Sequence, residues 1–257
     1  MPTSQELADY YESSFTDGMY STFTAADEMK RMTADQRLKE IKRDIDIQGR
    51  WMDVGCANGV FTKAMVDQGI DASGVEISAH AVAAARQQGL QVMAGTIDDV
   101  PLDHGYDGMT AFDVLEHVIS PTQFLASIHK RLRVGGHVVL TVPDTGTLVR
   151  KLMGSRSFFY IPEEHLHYFD SRNLAALLRR HGFEIVSVGA THKPMTYDYS
   201  LTQFAEYNPL IYRVLSLPRF LIPTSIRNCP LPLPIGELRI IAKKIGSDAM
   251  KDLKNAA

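Results

Sequence analysis

The sequence predicts an α/β fold, a parallel sheet covered by helices on both faces. Three observations carry this reading. Apolar strand-like runs alternate with helical periodicity from residue 50 to 142. The first run, Trp51 to Val54, breaks into a turn with two glycines four apart, Gly55 and Gly59. The second run, Ala72 to Val75, ends on an acid, Glu76, twenty-one residues after Gly55. Alternating strands and helices with right-handed crossovers bring the strand C-termini to one edge, where ligands bind. Glycine lets the backbone turn tightly and approach a ligand closely. The amides of the following helix point at whatever sits over the turn. Such a turn is a nucleotide seat, and an acid at the end of the second strand is placed to take both ribose hydroxyls of an adenosine.

Each element has its own justification. Residues 1–49 form a polar, helical N-terminal arm. Met29, Met32, Leu38, Ile41 and Ile45 recur at helical spacing over Ala25 to Ile45. The arm is either a helix packed on the sheet edge or a flap over the ligand, with Tyr10, Tyr11, Phe15, Tyr20 and Phe23 ahead of it. The core spans 50–190: strand 50–54, helix 58–69, strand 72–76, helix 79–88 with Ser78 as N-cap, strand 90–94 and strand 106–112. Helix 120–132 has Pro121 in its first turn and is expected to stop at Gly135-Gly136, before strand 137–142. Ser171 caps helix 171–181, and strand 183–190 follows. Residues 191–236 are an insertion rich in proline and aromatics. Strand 237–243 and a polar tail to residue 257 end the chain.

Composition narrows the function. Hydrophobic residues make up 45% of 257, which suits a globular core. A formal net charge of -3 gives no sign of nucleic-acid binding. No apolar run reaches the ~20 residues needed to span a bilayer. The acidic N-terminus does not read as a secretory signal. Cys56 and Cys229 are far apart, so a reducing cytoplasm is the expected location.

The runs DVGCANG, Glu76, FDVLEHV and LRVGGHVVLTVP, followed by EEHLHYFDSRNLAALLRRHGFEIVSV, resemble in order and spacing the class I S-adenosylmethionine-dependent methyltransferases. Within these, the chain looks like the branch of ubiquinone-type O-methyltransferases and bacterial small-molecule and glycan methyltransferases. The resemblance implies a Rossmann-like sheet of seven strands, the last antiparallel and inserted beside the one before it. It places Asp53, Gly55, Ala57 and Gly59 around the methionine part of S-adenosyl-L-methionine, with Asp53 facing its cationic end. Glu76 would hold the ribose, and Ile97 and Asp98 would border the adenine. Two positions depart from the pattern. Ala57 replaces a middle glycine, which ordinary backbone angles would tolerate. Thr96 replaces an aspartate that often reads the adenine amino group.

For the chemistry, Asp113, Glu116 and His117 share a face if their segment is helical. Two carboxylates and an imidazole suit a divalent metal, which is a weaker reading than a structural or basic role. A hydroxyl acceptor must lose a proton, and histidine suits this near neutral pH. The candidates are His117, His165 and His167, the last two on one side if their segment is extended. The expected activity is methyl transfer to an oxygen of a small molecule or sugar. N- or C-methylation of a small or lipid-linked acceptor, and a non-catalytic cofactor-binding regulator, remain as alternatives. A nucleotide-dependent oxidoreductase is disfavoured because the turn lacks G-x-G-x-x-G. The insertion 191–236 is read as an acceptor cap walled by Tyr197, Tyr199, Phe204, Tyr207 and Tyr212. Its apolar, arginine-bearing part could instead make a peripheral membrane contact or a dimer contact.

Overall fold

The computed structural model describes residues 24–102, 105–147, 165–207 and 209–246. Helix α1 (Thr24–Asp44) precedes β1 (Arg50–Val54), α2 (Val60–Asp67), β2 (Asp71–Glu76), α3 (Ala79–Gln87), β3 (Val92–Ala94) and β4 (Tyr106–Phe112). Then come α4 (Pro121–Arg131), β5 (Leu132–Pro143), α5 (Ser171–Arg180) and β6 (Phe183–Met195). Helices α6 (Tyr197–Tyr207), α7 (Pro209–Ser216) and the short α8 (Thr224–Arg227) lead into β7 (Leu231–Lys244).

The seven strands lie in the order β3-β2-β1-β4-β5-β7-β6. Strands β1 to β5 pair in parallel. Strand β7 runs antiparallel between β5 and β6, as the resemblance implied. Strand order reverses between β1 and β4, both of which end at the ligand edge.

Period-two alternation sorts the side chains into two layers. On one face Trp51, Val139 and Ile241 pack with Phe61 and Met65 of α2 and with Ala34, Leu38 and Ile41 of α1. On the other, Met52, Met109, Leu140 and Ile240 meet Leu125 and Ile128 of α4 and Leu174 and Leu178 of α5. The N-terminal helix therefore packs across a sheet face on the side of β6, the strand at the sheet's edge, which its Glu40 and Asp44 bond. The five aromatics expected ahead of it lie outside the described residues.

Several local expectations are corrected. Gly135-Gly136 does not end α4, because β5 starts directly at Leu132. The pair instead forms an irregularity in β5, where the pairing with β4 steps from Tyr106↔Leu132 to Gly108↔His137. Gly135 takes φ +84 there, and a Cβ on Gly136 would press on three backbone carbonyls at 3.0–3.1 Å. The α5 N-cap is Asp170, whose carboxylate accepts from the amides of Arg172 and Asn173, while Asn173 answers with a reciprocal bond. Strands β6 and β7 run well past 190 and begin before 237. They form a hairpin stem that carries α6 to α8.

Gly108 of β4 lies in register with Trp51 of β1. A Cβ there would come within 2.4 Å of the indole, which is fully buried. Gly108→Ala is expected to cost about 1–3 kcal/mol through overpacking, read in urea as a lower midpoint with an unchanged slope.

Candidate active site

The first two strand ends are joined by one carboxylate. Glu76 is buried, and its Oε2 accepts from the amide of Ala57 while Oε1 accepts from the amide of Ser78, each at 2.9 Å. The Gly55 and Cys56 amides donate to the Val75 carbonyl at 2.8 and 3.2 Å. Gly55 has φ +71, and a Cβ on it would sit 2.6 Å from Val114 Cγ2. The glycine thus lets the β1 turn lie against the loop after β4. Ala57 does not keep ordinary angles. Its φ is +47, a left-handed conformation that crowds a Cβ. Gly59 caps α2 in the same region.

Asp53 lies beneath this turn, buried, with its oxygens accepting from the hydroxyls of Thr110 at 2.7 Å and Thr62 at 2.9 Å. Burial pushes its carboxyl up to about 6, against the lowering effect of the two hydroxyls. It forms no ion pair among the described residues. This donor set suits an adenosyl sulfonium. A buried acid without a paired cation favours a positive ligand, and each Glu76 oxygen keeps a lone pair for one of two neighbouring hydroxyls.

At the third strand end, Ile97 turns its side chain into the core. Asp98 is drawn to α4, where its Oδ1 accepts from Ser127 Oγ and its carbonyl accepts from Arg131 at 2.6 Å. Thr96 is occupied in a capping box with Asp99.

The loop after β4 does not form a helix. It turns, with the His117 amide donating to the Val114 carbonyl. Asp113 takes φ +57, and its carboxylate is committed elsewhere. It accepts from Thr141 Oγ1 at 2.9 Å and Arg37 at 2.8 Å, with Lys193 Nζ at 3.8 Å. Glu237 of β7 shares both cations, at 3.2 Å from Arg37 and in close contact with Lys193. Burial opposes ionisation of Asp113, but Arg37 and Lys193 overcome it and hold the carboxyl well below the usual range. The same helix face continues the polar contact. Glu40 accepts from Thr191 and from His192 Nδ1, each at 3.1 Å, and Asp44 meets Arg239 at 2.7 Å. The sequence reading missed this network. The i, i+3, i+7 spacing of Arg37, Glu40 and Asp44 beside Leu38 and Ile41 was its one signal.

A second cluster gathers beside it. Glu116, His117 and His165 bring one ligand atom each to within 4.8 Å of one another. The two imidazoles meet edge to face, with centroids 4.8 Å apart. Glu116 is buried, and its Oε2 has no hydrogen-bond partner. Burial first, then Asp113 and Glu237, push its carboxyl well above the usual range. Of the weaker metal reading's three candidates, Asp113 is thus bound to Arg37, while His165, a histidine that could complete such a site, joins Glu116 and His117. Nor is the 165–168 segment extended with both histidines on one side. The Leu166 and His167 amides both donate to the Glu116 carbonyl, at 2.8 and 3.1 Å, and His167 Nε2 lies 3.3 Å from the Ile119 carbonyl.

The sheet order, the reversed last strand and the carboxylate-braced turn define a class I S-adenosylmethionine-dependent methyltransferase. Residues 25–188, more than half the chain, match the family model described as "Methyltransferase domain", and the chain belongs to that family. Among curated relatives, the ubiquinone biosynthesis O-methyltransferase of Xanthomonas euvesicatoria pv. vesicatoria is 26% identical over 194 residues, 69% of this chain and 81% of the relative. That of Pseudomonas aeruginosa (strain UCBPP-PA14) is 23% identical over 176 residues, covering 62% and 75%. Among solved structures, magnesium protoporphyrin IX methyltransferase of Synechocystis PCC 6803 with bound S-adenosylmethionine aligns with a TM-score of 0.59 at 14% identity, covering 95% of this chain and 98% of its own. A possible histamine N-methyltransferase of Thermotoga maritima aligns with a TM-score of 0.55 at 19% identity, covering 92% and 95%.

Two outcomes are expected. Arg37→Met leaves Asp113 and Glu237 short of a buried cation and should cost about 3–5 kcal/mol, measured by chemical denaturation. Asp53 must be ionised to favour a cationic ligand, so cofactor affinity should fall as pH drops through about 6. Calorimetry of Asp53→Asn should show that dependence flattened.

Proposed function

We propose that this methyltransferase acts on a hydroxyl oxygen of a small-molecule acceptor, with His117 or His165 removing the proton. The carrying observation is the pairing of His117 with His165 against buried Glu116, on the loop whose Val114 lies against Gly55. The curated relatives named as ubiquinone biosynthesis O-methyltransferases support oxygen as the acceptor atom.

S-adenosylmethionine supplies a methyl group on a positive sulfur. Glu76 holds its ribose through the free lone pairs of its carboxylate, and the turn through Gly55, Ala57 and Gly59 approaches its methionine part. Asp53 balances the cationic end. Ile97 and Asp98 border the adenine through backbone atoms, because the Ile97 side chain is buried and the Asp98 carboxylate is tied to Ser127. The protein's contribution to rate is chiefly alignment of the acceptor with the S–methyl bond. A ring nitrogen of His117 or His165 accepts the hydroxyl proton as the oxygen attacks. His167 sits beside Ile119 and serves the loop. A divalent cation would be held by Glu116, His117 and His165, a carboxylate and two imidazoles that suit zinc or a similar ion. Tyr197 and Tyr199 of α6, carried on the stem, serve as the acceptor's cap; the side chains of Phe204 and Tyr207 lie outside the described residues.

His117→Ala should lower turnover at least about a hundredfold, the usual yield of acid–base catalysis, with cofactor affinity by calorimetry unchanged. Glu76→Ala should do the reverse, weakening cofactor binding by about 2–3 kcal/mol. Turnover undiminished in both His117→Ala and His165→Ala would remove both from proton transfer. Activity lost to a chelator and restored by a divalent ion would assign the cluster to a metal.

A further inference from the structure

The segment from α7 to α8 has a surface that the methyl-transfer reading does not use. Leu217 is 66% exposed, Phe220 84%, Leu221 72% and Ile226 61%, and Val214 at the end of α7 is 60% exposed. Between residues 209 and 236 there are three arginines, Arg213, Arg219 and Arg227, and no aspartate or glutamate. Among the described residues, the acid bonded to them is Asp198 of α6, 3.0 Å from Arg219 and 3.3 Å from Arg227. The mound is therefore locally cationic on a chain whose formal charge is -3. Its stem leaves the sheet at the C-terminal end of β6, which runs parallel to β1–β5, so the mound stands at the ligand edge.

We propose that this mound is a docking surface for an anionic lipid bilayer. Exposed large apolar side chains interleaved with arginines, on a segment that carries no acid of its own, match the interface between acyl chains and negative headgroups. Arg213 and Arg219, whose side chains are exposed, can lay their stems along the apolar surface and keep their heads at the phosphates, while Arg227 is turned inward to Asp198. A second copy of the chain fits less well. A two-fold contact would set the arginine-bearing mound against itself. No helix among the described residues is long and apolar enough to cross a membrane, so the contact is peripheral. The inference does not depend on which acceptor atom is methylated.

The test is co-sedimentation of the full chain with phosphatidylcholine vesicles and with vesicles containing phosphatidylglycerol. Binding should be at least about tenfold stronger to the anionic vesicles, as a few arginines near a charged surface supply, and should weaken with salt. Phe220→Glu combined with Leu221→Glu should abolish it, and Arg213→Gln should weaken it, with cofactor affinity and circular dichroism unchanged in both. Equal or absent partition into the two vesicle types would overturn the proposal. So would undiminished binding by the double variant, or a dimer in sedimentation equilibrium that the double variant dissociates.

Discussion

Four buried or half-buried charges hold the parts of this protein in one arrangement. Arg37 comes from the N-terminal helix, Asp113 from the loop after β4, Lys193 from β6 and Glu237 from β7. Two positive and two negative groups balance, so the cluster can leave water without leaving a net charge behind. Such a cluster is weak evidence for stability, because desolvation offsets much of the attraction. What it supplies is geometry. Each carboxylate meets both cations, and a shift of any one segment strands a charge. Arg37 also lies over the Phe112 ring, with its guanidinium carbon 4.6 Å from the centroid. The arm, the loop after β4 and the insertion stem are thereby fixed to one another at the point where β4 ends.

The cofactor side rests on a similar economy. Glu76 uses one lone pair on each oxygen to brace two turns. Val114 then links this half to the other, because Gly55 leaves room for its methyl group. The strained backbone at Ala57 and Asp113 lies on the two sides of this contact. Non-glycine residues in that conformation are uncommon and gather where a site must be shaped.

Much of this was legible in the sequence. Apolar runs at 50–54 and 106–112 give the strand limits directly, since a buried parallel strand has few ways to be misread. Ser78 and Pro121 marked helix starts by their own chemistry. The failures share a cause. Gly135-Gly136 looked like a helix stop, yet a strand irregularity asks for the same residue. The charges of α1 showed only as a polar helix, because their partners lie some 75 to 200 positions away, at separations no local pattern reports. Asp113 was one candidate of a disfavoured metal reading by its spacing to Glu116 and His117, and its competing partners Arg37 and Lys193 were equally remote. Which of His165 and His167 stands beside His117 needed the fold itself.

The antiparallel insertion of β7 has a consequence for how such a protein can diversify. Because β6 runs with the parallel strands and β7 returns against them, any chain added between Met195 and Leu231 emerges at the cofactor edge. The pairings of Ile240 and Ile241 with β5 lie deep in the sheet and are indifferent to what is grafted there. The hairpin is a socket: new recognition modules can be exchanged at its tip while the machinery that delivers the methyl group is inherited intact.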